Sequence, residues 1–285
     1  LDIIYYDYRF TNDISTIGKL KFKSILYFLK NIYGVLKILS KEKREIIFTL
    51  VPVGIAFYRD FLLVFIIRIF YRLNFKLYLH AGNIDSFINK NIINKYLYLY
   101  LSKFSAFIFL RIGLYNSLKI NLREVSILNN FYPKINQNCN KKINDKIKIL
   151  FLSNYIENKG VLLAVKIFKR ICLENKNIQC FFVGSDADIT REFLSKLIDK
   201  KFKNQIIIKG PLYGNDKYDF MKNCDFFIFP SKYEREAFPV VSLEAVACGC
   251  LFISSSVNGI NEIFDTERTE NNDDKIITYF VDKIN

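Results

Sequence analysis

Two carboxylates eight positions apart, Glu236 and Glu244, stand in the segment PSKYEREAFPVVSLEAVACG, residues 230–249. An apolar run over 225–229 ends at Pro230, a loop follows, and a helix is expected to open at Pro239, where a missing N–H removes no bond. The backbone N–H groups of Phe238, Val240 and Val241 would lie at that start. Free N–H groups and the positive end of the helix dipole suit a diphosphate. Glu236 precedes the helix and Glu244 lies within it, separated by up to ~12 Å at helical rise. A carboxylate is a good acceptor for a pair of hydroxyls. The spacing therefore fits a ligand with a diphosphate between two polyol ends.

Other residue types narrow the chemistry. The single histidine, His80, ends the strand-like run KLYLH and is followed by Ala81-Gly82. The carboxyl end of a parallel strand is where such sheets bind ligands. Asp186-Ala187-Asp188 spells a D-x-D, which elsewhere can hold a divalent cation against a diphosphate. Here it falls between a strand and a helix, where aspartate is a good cap, and no metal is expected. The six cysteines form no C-x-x-C pair and most sit in apolar runs, so they read as buried reduced thiols.

The elements that must position these residues alternate strand and helix along the chain. Strands are expected at 2–6, 46–51, 76–80, 105–110 and 125–129, with helical segments at 17–40, 55–74, 86–103 and 113–122. A second block follows, with strands at 147–152, 178–183, 205–208, 225–229 and 251–254. Its helices are expected at 160–174, 189–201, 215–223, 240–248 and 273–284. The second-block strands are unbroken apolar runs (IKILFL, IQCFFV, DFFIFP, LFISS), which suit parallel strands covered on both faces. Two such blocks predict an α/β chain of two Rossmann-like, doubly wound parallel-sheet domains facing a cleft. The expected boundaries are 1–133 for the first domain, 134–146 for a polar linker and 147–285 for the second.

Composition excludes disorder, since 51% of the 285 residues are hydrophobic. The net charge of +14 is uneven: residues 1–142 carry 22 Lys/Arg against 8 Asp/Glu, and residues 143–285 carry 20 of each. The basic half attracts anionic ligands or surfaces. The segment 17–44, with Lys19, Lys21, Lys23, Lys30, Lys37, Lys41, Lys43 and Arg44, reads as a basic amphipathic helix able to lie on an anionic membrane. No nucleic-acid-binding motif accompanies the charge, and nucleic acid is not an expected partner. Phe61–Phe70 is too short and too interrupted, by Arg68, to span a bilayer. No signal peptide is seen, and the expected location is cytoplasmic, peripheral on the inner face of the plasma membrane.

The Glu236, seven residues, Glu244 pattern with the following Ala-x-Ala-x-Gly resembles the donor-site signature of glycosyltransferase family 4 (glycosyl transferases group 1). The resemblance implies a GT-B fold and a retaining, metal-independent, hexosyltransferase-like enzyme. Its first Glu, Glu236, would approach the donor sugar, and its second, Glu244, the ribose. The backbone of Ala237, Phe238, Pro239 and Val240 would meet diphosphate and sugar. Lys159-Gly160 resembles the Lys-Gly of the family, with Lys159 neutralising phosphate. Ser153 and Asn154 stand where members carry a Gly-Arg pair, so one cation is missing and these two side chains would compensate. Gly184-Ser185 resembles a G-x-G loop, Asn129-Asn130 a P-N-G segment, and Glu262 a G-x-x-E-I. His80 matches a histidine that projects into the cleft. His80, Glu236 and Lys159 are the expected catalytic residues. The first strand and Gly-rich loop of the family are not visible, and the first domain is expected to lack them.

The resemblance implies transfer of a sugar from a nucleotide diphosphate-sugar to a hydroxyl acceptor. That acceptor would be lipid-linked or an oligosaccharide, in surface polysaccharide or lipopolysaccharide assembly, with no cofactor beyond the donor. The alternative is a catalytically inactive GT-B-type nucleotide-sugar-binding protein or fragment, which Ser153 favours.

Overall fold

A computed structural model describes residues 4, 6, 22–41, 45–132, 146–233, 236–255, 260 and 273–284, with only the backbone for 22–27 and 41. The chain divides into two compact units, Leu1–Asn129 and Asn130–Asn285. Most of the expected strand at 2–6 and of the polar 134–146 stretch, together with Cys139 and Glu262, lies outside the described residues.

The first unit runs α1 (Phe22–Lys41), β1 (Ile46–Leu50), α2 (Gly54–Tyr71), β2 (Phe75–Leu79), α3 (Ile84–Lys90), α4 (Ile92–Leu101), β3 (Ser105–Phe109), α5 (Ile112–Asn116) and β4 (Val125–Ile127). Its sheet has the order β1-β2-β3-β4, and every pairing is parallel. β3 is buried along its whole length, the fate of an apolar run covered on both faces. Phe57 of α2 stacks on Tyr98 of α4 at 4.8 Å, and the Tyr98 hydroxyl donates to the Pro52 carbonyl at 2.6 Å. That bond satisfies a phenol that is otherwise wholly buried.

The segment 86–103, expected as one helix, is two. Asn91 breaks it in extended backbone, and its side chain accepts the Asn94 N–H at 2.8 Å to start α4. Asparagine favours such caps over helix interiors. The helix expected over 113–122 is the single turn and a half of α5, and Lys119 beyond it takes a left-handed φ of 52°.

The second unit runs β5 (Ile147–Leu152), α6 (Val161–Glu174), β6 (Ile178–Val183), α7 (Arg191–Leu197), β7 (Ile206–Lys209), α8 (Gly214–Lys222), β8 (Phe226–Phe229), α9 (Val240–Ala247), β9 (Leu251–Ser254) and α10 (Asp273–Ile284). The helix expected over 189–201 ends at Leu197, with a 3₁₀ turn at Lys200–Phe202. The parallel sheet has the order β7-β6-β5-β8-β9. β5 comes first in the chain but sits in the middle, so the winding reverses between β5 and β8. Ligands bind at such a switch point, beyond the carboxyl ends of its strands. One face of the sheet buries α6 and α10 through Phe168, Ile171, Phe280 and Ile284, and the other buries α8 and α9 through Met221, Ala245 and Cys248. The five described cysteines are buried.

Candidate functional site

Three loops meet at the switch point of the second unit because two glycines let backbone touch backbone. A Cβ on Gly160 would lie 2.0 Å from the Pro230 carbonyl oxygen, and Gly160 holds φ at +83°. A Cβ on Gly184 would lie 1.8 Å from the Ser153 carbonyl oxygen. Neither position accommodates a side chain without backbone movement. Backbone bonds lock the same loops: Ser153 N–H to Val183 at 3.1 Å, Tyr155 N–H to Ser185 at 2.9 Å, and Lys232 N–H to Asn158 at 2.8 Å.

The predicted donor-binding residues of this unit gather around that knot. Ser153, buried, and Asn154, exposed, leave the end of β5. Lys159 closes the 3₁₀ turn Glu157–Lys159, and the left-handed Gly160 starts α6. The Lys159 ammonium lies 3.3 Å from Glu236 Oε2 and 5.5 Å over the Tyr233 ring. The expected phosphate cation and the expected sugar carboxylate are thus ion-paired with each other. The Glu236 N–H donates to the Tyr233 carbonyl at 3.0 Å, which turns the chain toward α9.

Ala237, Phe238 and Pro239 are buried. Pro239 occupies the cap position rather than the first helical turn expected, and α9 begins at Val240 with no side-chain cap. Its first amides are therefore left for another acceptor. The Phe238 carbonyl accepts the Asn130 Nδ2–H at 3.3 Å.

Glu244 sits on α9 with only 6% of its surface exposed. Lys217 Nζ contacts both of its oxygens at 2.7 Å, and the Tyr218 hydroxyl donates to Oε1 at 3.0 Å. Burial, and then the carboxylate beside it, push the Tyr218 phenol up to about 12. Sequence reasoning missed Lys217, Tyr218 and Tyr233. A buried Glu244 needs a counter-charge, but its partner stands 27 residues away in the charged stretch of α8.

His80 belongs to the first unit, just past the end of β2 as expected. Its ring meets Tyr78 edge-on at 4.1 Å. The residue keeps open surface, yet partial desolvation lowers its pKa below the usual 6.5. The Asp186 carboxylate of the D-x-D accepts the Arg191 N–H and Nε–H, both at 3.0 Å, and that bonding lowers its pKa. The cap of α7 itself is Thr190, not an aspartate. Asp188 accepts the Glu157 N–H at 3.4 Å. Among the described residues no group of three His, Cys, Asp or Glu side chains converges on a metal position.

The family model for glycosyl transferases group 1 matches residues 134–277, about half of the chain. The chain belongs to this family. A curated relative in Staphylococcus aureus, the capsular polysaccharide biosynthesis glycosyltransferase CapH, is 29% identical over 141 residues, covering 48% of this chain and 38% of that protein. The lipopolysaccharide 1,2-N-acetylglucosaminetransferase of Salmonella typhimurium is 30% identical over 124 residues, covering 41% and 32%. The match thus spans about a third of the length of these relatives. Among solved structures, Anabaena Alr3699/HepE in complex with UDP aligns with a TM-score of 0.68 and 14% identity, over 90% of this chain and 72% of that one. At that identity the likeness concerns the fold. This group 1 chain has the α/β architecture with two parallel sheets of the GT-B glycosyltransferases.

Proposed function

We propose that the chain acts as a retaining glycosyltransferase of the family 4 type, moving a sugar from a nucleotide diphosphate-sugar to a hydroxyl acceptor. The observation that supports this reading is the Lys159–Glu236 ion pair just ahead of α9, a helix whose start has no side-chain cap and which carries Glu244. Lys159 and the α9 amides are suited to the diphosphate, Glu236 to the sugar and Glu244 to the ribose. The bond from the anomeric carbon to the diphosphate breaks and a bond to the acceptor oxygen forms on the same face. The leaving phosphate takes the acceptor proton. Stabilising that departing charge is the main catalytic term. The reading includes no metal: Lys159 and the helix start supply the positive field.

The names of CapH and the Salmonella enzyme support surface polysaccharide or lipopolysaccharide assembly as the setting; the acceptor proposed for it is lipid-linked or an oligosaccharide. The UDP bound to HepE makes uridine diphosphate sugars the first donors to test. A second reading, a nucleotide-sugar-binding protein without turnover, is favoured by Ser153 in place of a phosphate cation.

A thermal-shift panel of nucleotide diphosphate-sugars against wild type and Glu244→Ala tests the donor site, since a ligand that binds the folded state raises its stability. One donor should stabilise the wild type and lose its effect on the variant. If no donor shifts the wild type, or if the variant responds equally, the assignment fails. Release of free nucleotide diphosphate from that donor, with and without EDTA, separates transfer from binding alone.

A further inference from the structure

The helix α2 is apolar nearly all round, with Arg59, Asp60 and Arg68 its only charged residues. Its inner side buries Phe57, Leu63, Val64 and Ile67. Its outer side leaves Tyr58, Leu62, Ile69 and Phe70 exposed, although an all-apolar helix normally has every face covered. Beside it α4 exposes Ile93 at 60% and Tyr96 at 63%. Between the two helices runs a groove of about 450 Å³, whose lining includes Phe61, Phe65, Tyr96, Leu97, Tyr100 and Lys103.

The groove is aromatic and already lies against cations. Phe61 and Phe65 stack at 6.2 Å, and each meets Tyr100 at about 6 Å. Lys103 Nζ lies 5.9 Å over Tyr100, and the Arg68 guanidinium lies 5.2 Å over Phe104. From Gly54 to Lys103 the chain holds seven Lys or Arg against two acids; Lys76, on β2, is paired with Glu45 at 2.8 Å, and Asp60 is buried against Arg59, so the unbalanced cations nearest the groove are Lys95 and Lys103. A contiguous apolar patch of this kind marks an interaction surface.

Charge decides what covers it. A second copy would bring the same cations to the same face, and like charges oppose that contact. An anionic bilayer supplies the opposite charge together with an apolar interior. Tyrosine suits the boundary because its ring is apolar and its hydroxyl wet, and lysine can extend its stem along the apolar zone while its ammonium reaches phosphate.

We infer that the α2–α4 face of the first unit docks on an anionic phospholipid bilayer, with Ile93 and Tyr96 entering the interface and Lys95 and Lys103 meeting headgroup phosphates. This moves the membrane contact away from α1, where the basic amphipathic pattern predicts it. In its described part α1 turns Leu39 inward and accepts the Tyr71 hydroxyl at the Leu36 carbonyl, so it packs on α2. Lys19, Lys21, Lys43 and Arg44 of that expectation lie outside the described residues, as do the side chains of Lys23 and Lys41.

Flotation of the intact chain with phosphatidylcholine vesicles, and with phosphatidylcholine–phosphatidylglycerol vesicles, tests the inference. Binding is expected only to the anionic vesicles and should weaken as salt rises. Ile93→Ser/Tyr96→Ser should lower it about tenfold or more, since both side chains lose buried apolar area. Lys95→Gln/Lys103→Gln should lower it and flatten its salt dependence, while Tyr33→Ser on the exposed side of α1 should change nothing. All of these positions are exposed, and thermal unfolding checks that each variant is folded. Absence of binding, equal binding to neutral vesicles, or an Ile93→Ser/Tyr96→Ser variant that floats like wild type overturns the inference. So does a wild-type dimer in sedimentation velocity that this variant dissolves, which would make a second copy the occupant. None of these residues belongs to the donor site, so the result is independent of the proposed transferase activity.

Discussion

Lys217 Nζ stands 2.7 Å from each oxygen of the Glu244 carboxylate, and the Tyr218 hydroxyl stands 3.0 Å from Oε1. A carboxylate offers about four acceptor positions, so the protein itself fills most of them. Removing Lys217 leaves a nearly buried acid without its counter-charge. Lys217→Met is expected to cost about 3 kcal/mol, the low end for a broken buried pair, because Lys217 keeps some exposure. Adding Glu244→Leu should recover most of that loss. Urea unfolding of both variants measures this, and a Lys217→Met that unfolds at the wild-type midpoint would show that the pair contributes nothing.

The glycines at the switch point make a second, graded prediction. Gly160→Ala adds a methyl 2.0 Å from the Pro230 carbonyl at a left-handed φ, and Gly184→Ala adds one 1.8 Å from the Ser153 carbonyl. Gly249 also has a positive φ, +85°, but open space around it. Gly249→Ala should therefore cost only the left-handed strain, about 1–2 kcal/mol. Gly160→Ala should cost more, because overpacking against backbone adds about 1–3 kcal/mol to that strain, whereas Gly184→Ala, with no left-handed φ, should cost the overpacking term alone. Thermal midpoints of the three variants rank them, and a Gly249→Ala as damaging as Gly160→Ala would contradict the close approach.

His80 is the only histidine in the chain, so its imidazole proton resonance can be followed without assignment. Desolvation lowers its folded pKa below 6.5. The folded state then binds fewer protons than the unfolded state as pH falls past 6.5. Its contribution to stability is complete above 6.5 and is lost as pH falls through the lower folded value. The NMR titration midpoint is expected below 6.5, leaving a neutral ring at pH 7 that can accept or donate one hydrogen bond. A midpoint at or above 6.5 would show that burial does not depress the ring's proton affinity.

The second unit is largely legible in its sequence. Unbroken runs such as IKILFL and IQCFFV suit buried parallel strands, and β5, β6 and β9 fall on the expected residues. The α9 segment was equally plain, because Pro230, Pro239 and Gly249 punctuate it. The break at Asn91 was not visible, since asparagine reads equally as a helix surface residue and as a cap. The Lys217–Glu244 pair was hidden for a different reason. Pattern shows that Glu244 lies on a helix but not that α8 packs across it, and a lysine in DKYD looks like any solvated charge. Local spacing reports periodicity, whereas ion pairs between elements depend on tertiary approach.

Lys159 and Glu236, 3.3 Å apart, carry opposite expectations for the same ligand. Across this pair each neutralises the other. On the proposed reading an arriving diphosphate competes with Glu236 for the ammonium. Lys159→Met should therefore weaken UDP by about tenfold to a hundredfold, the range of a lost charge-assisted bond, and leave uridine nearly unchanged. Glu236→Gln should leave UDP as tight or tighter, because a competing anion is gone, while weakening the donor sugar. Calorimetric titration of both variants with uridine, UDP and the stabilising UDP-sugar separates these effects. If Lys159→Met weakened uridine as much as UDP, Lys159 would be shaping the pocket rather than meeting phosphate.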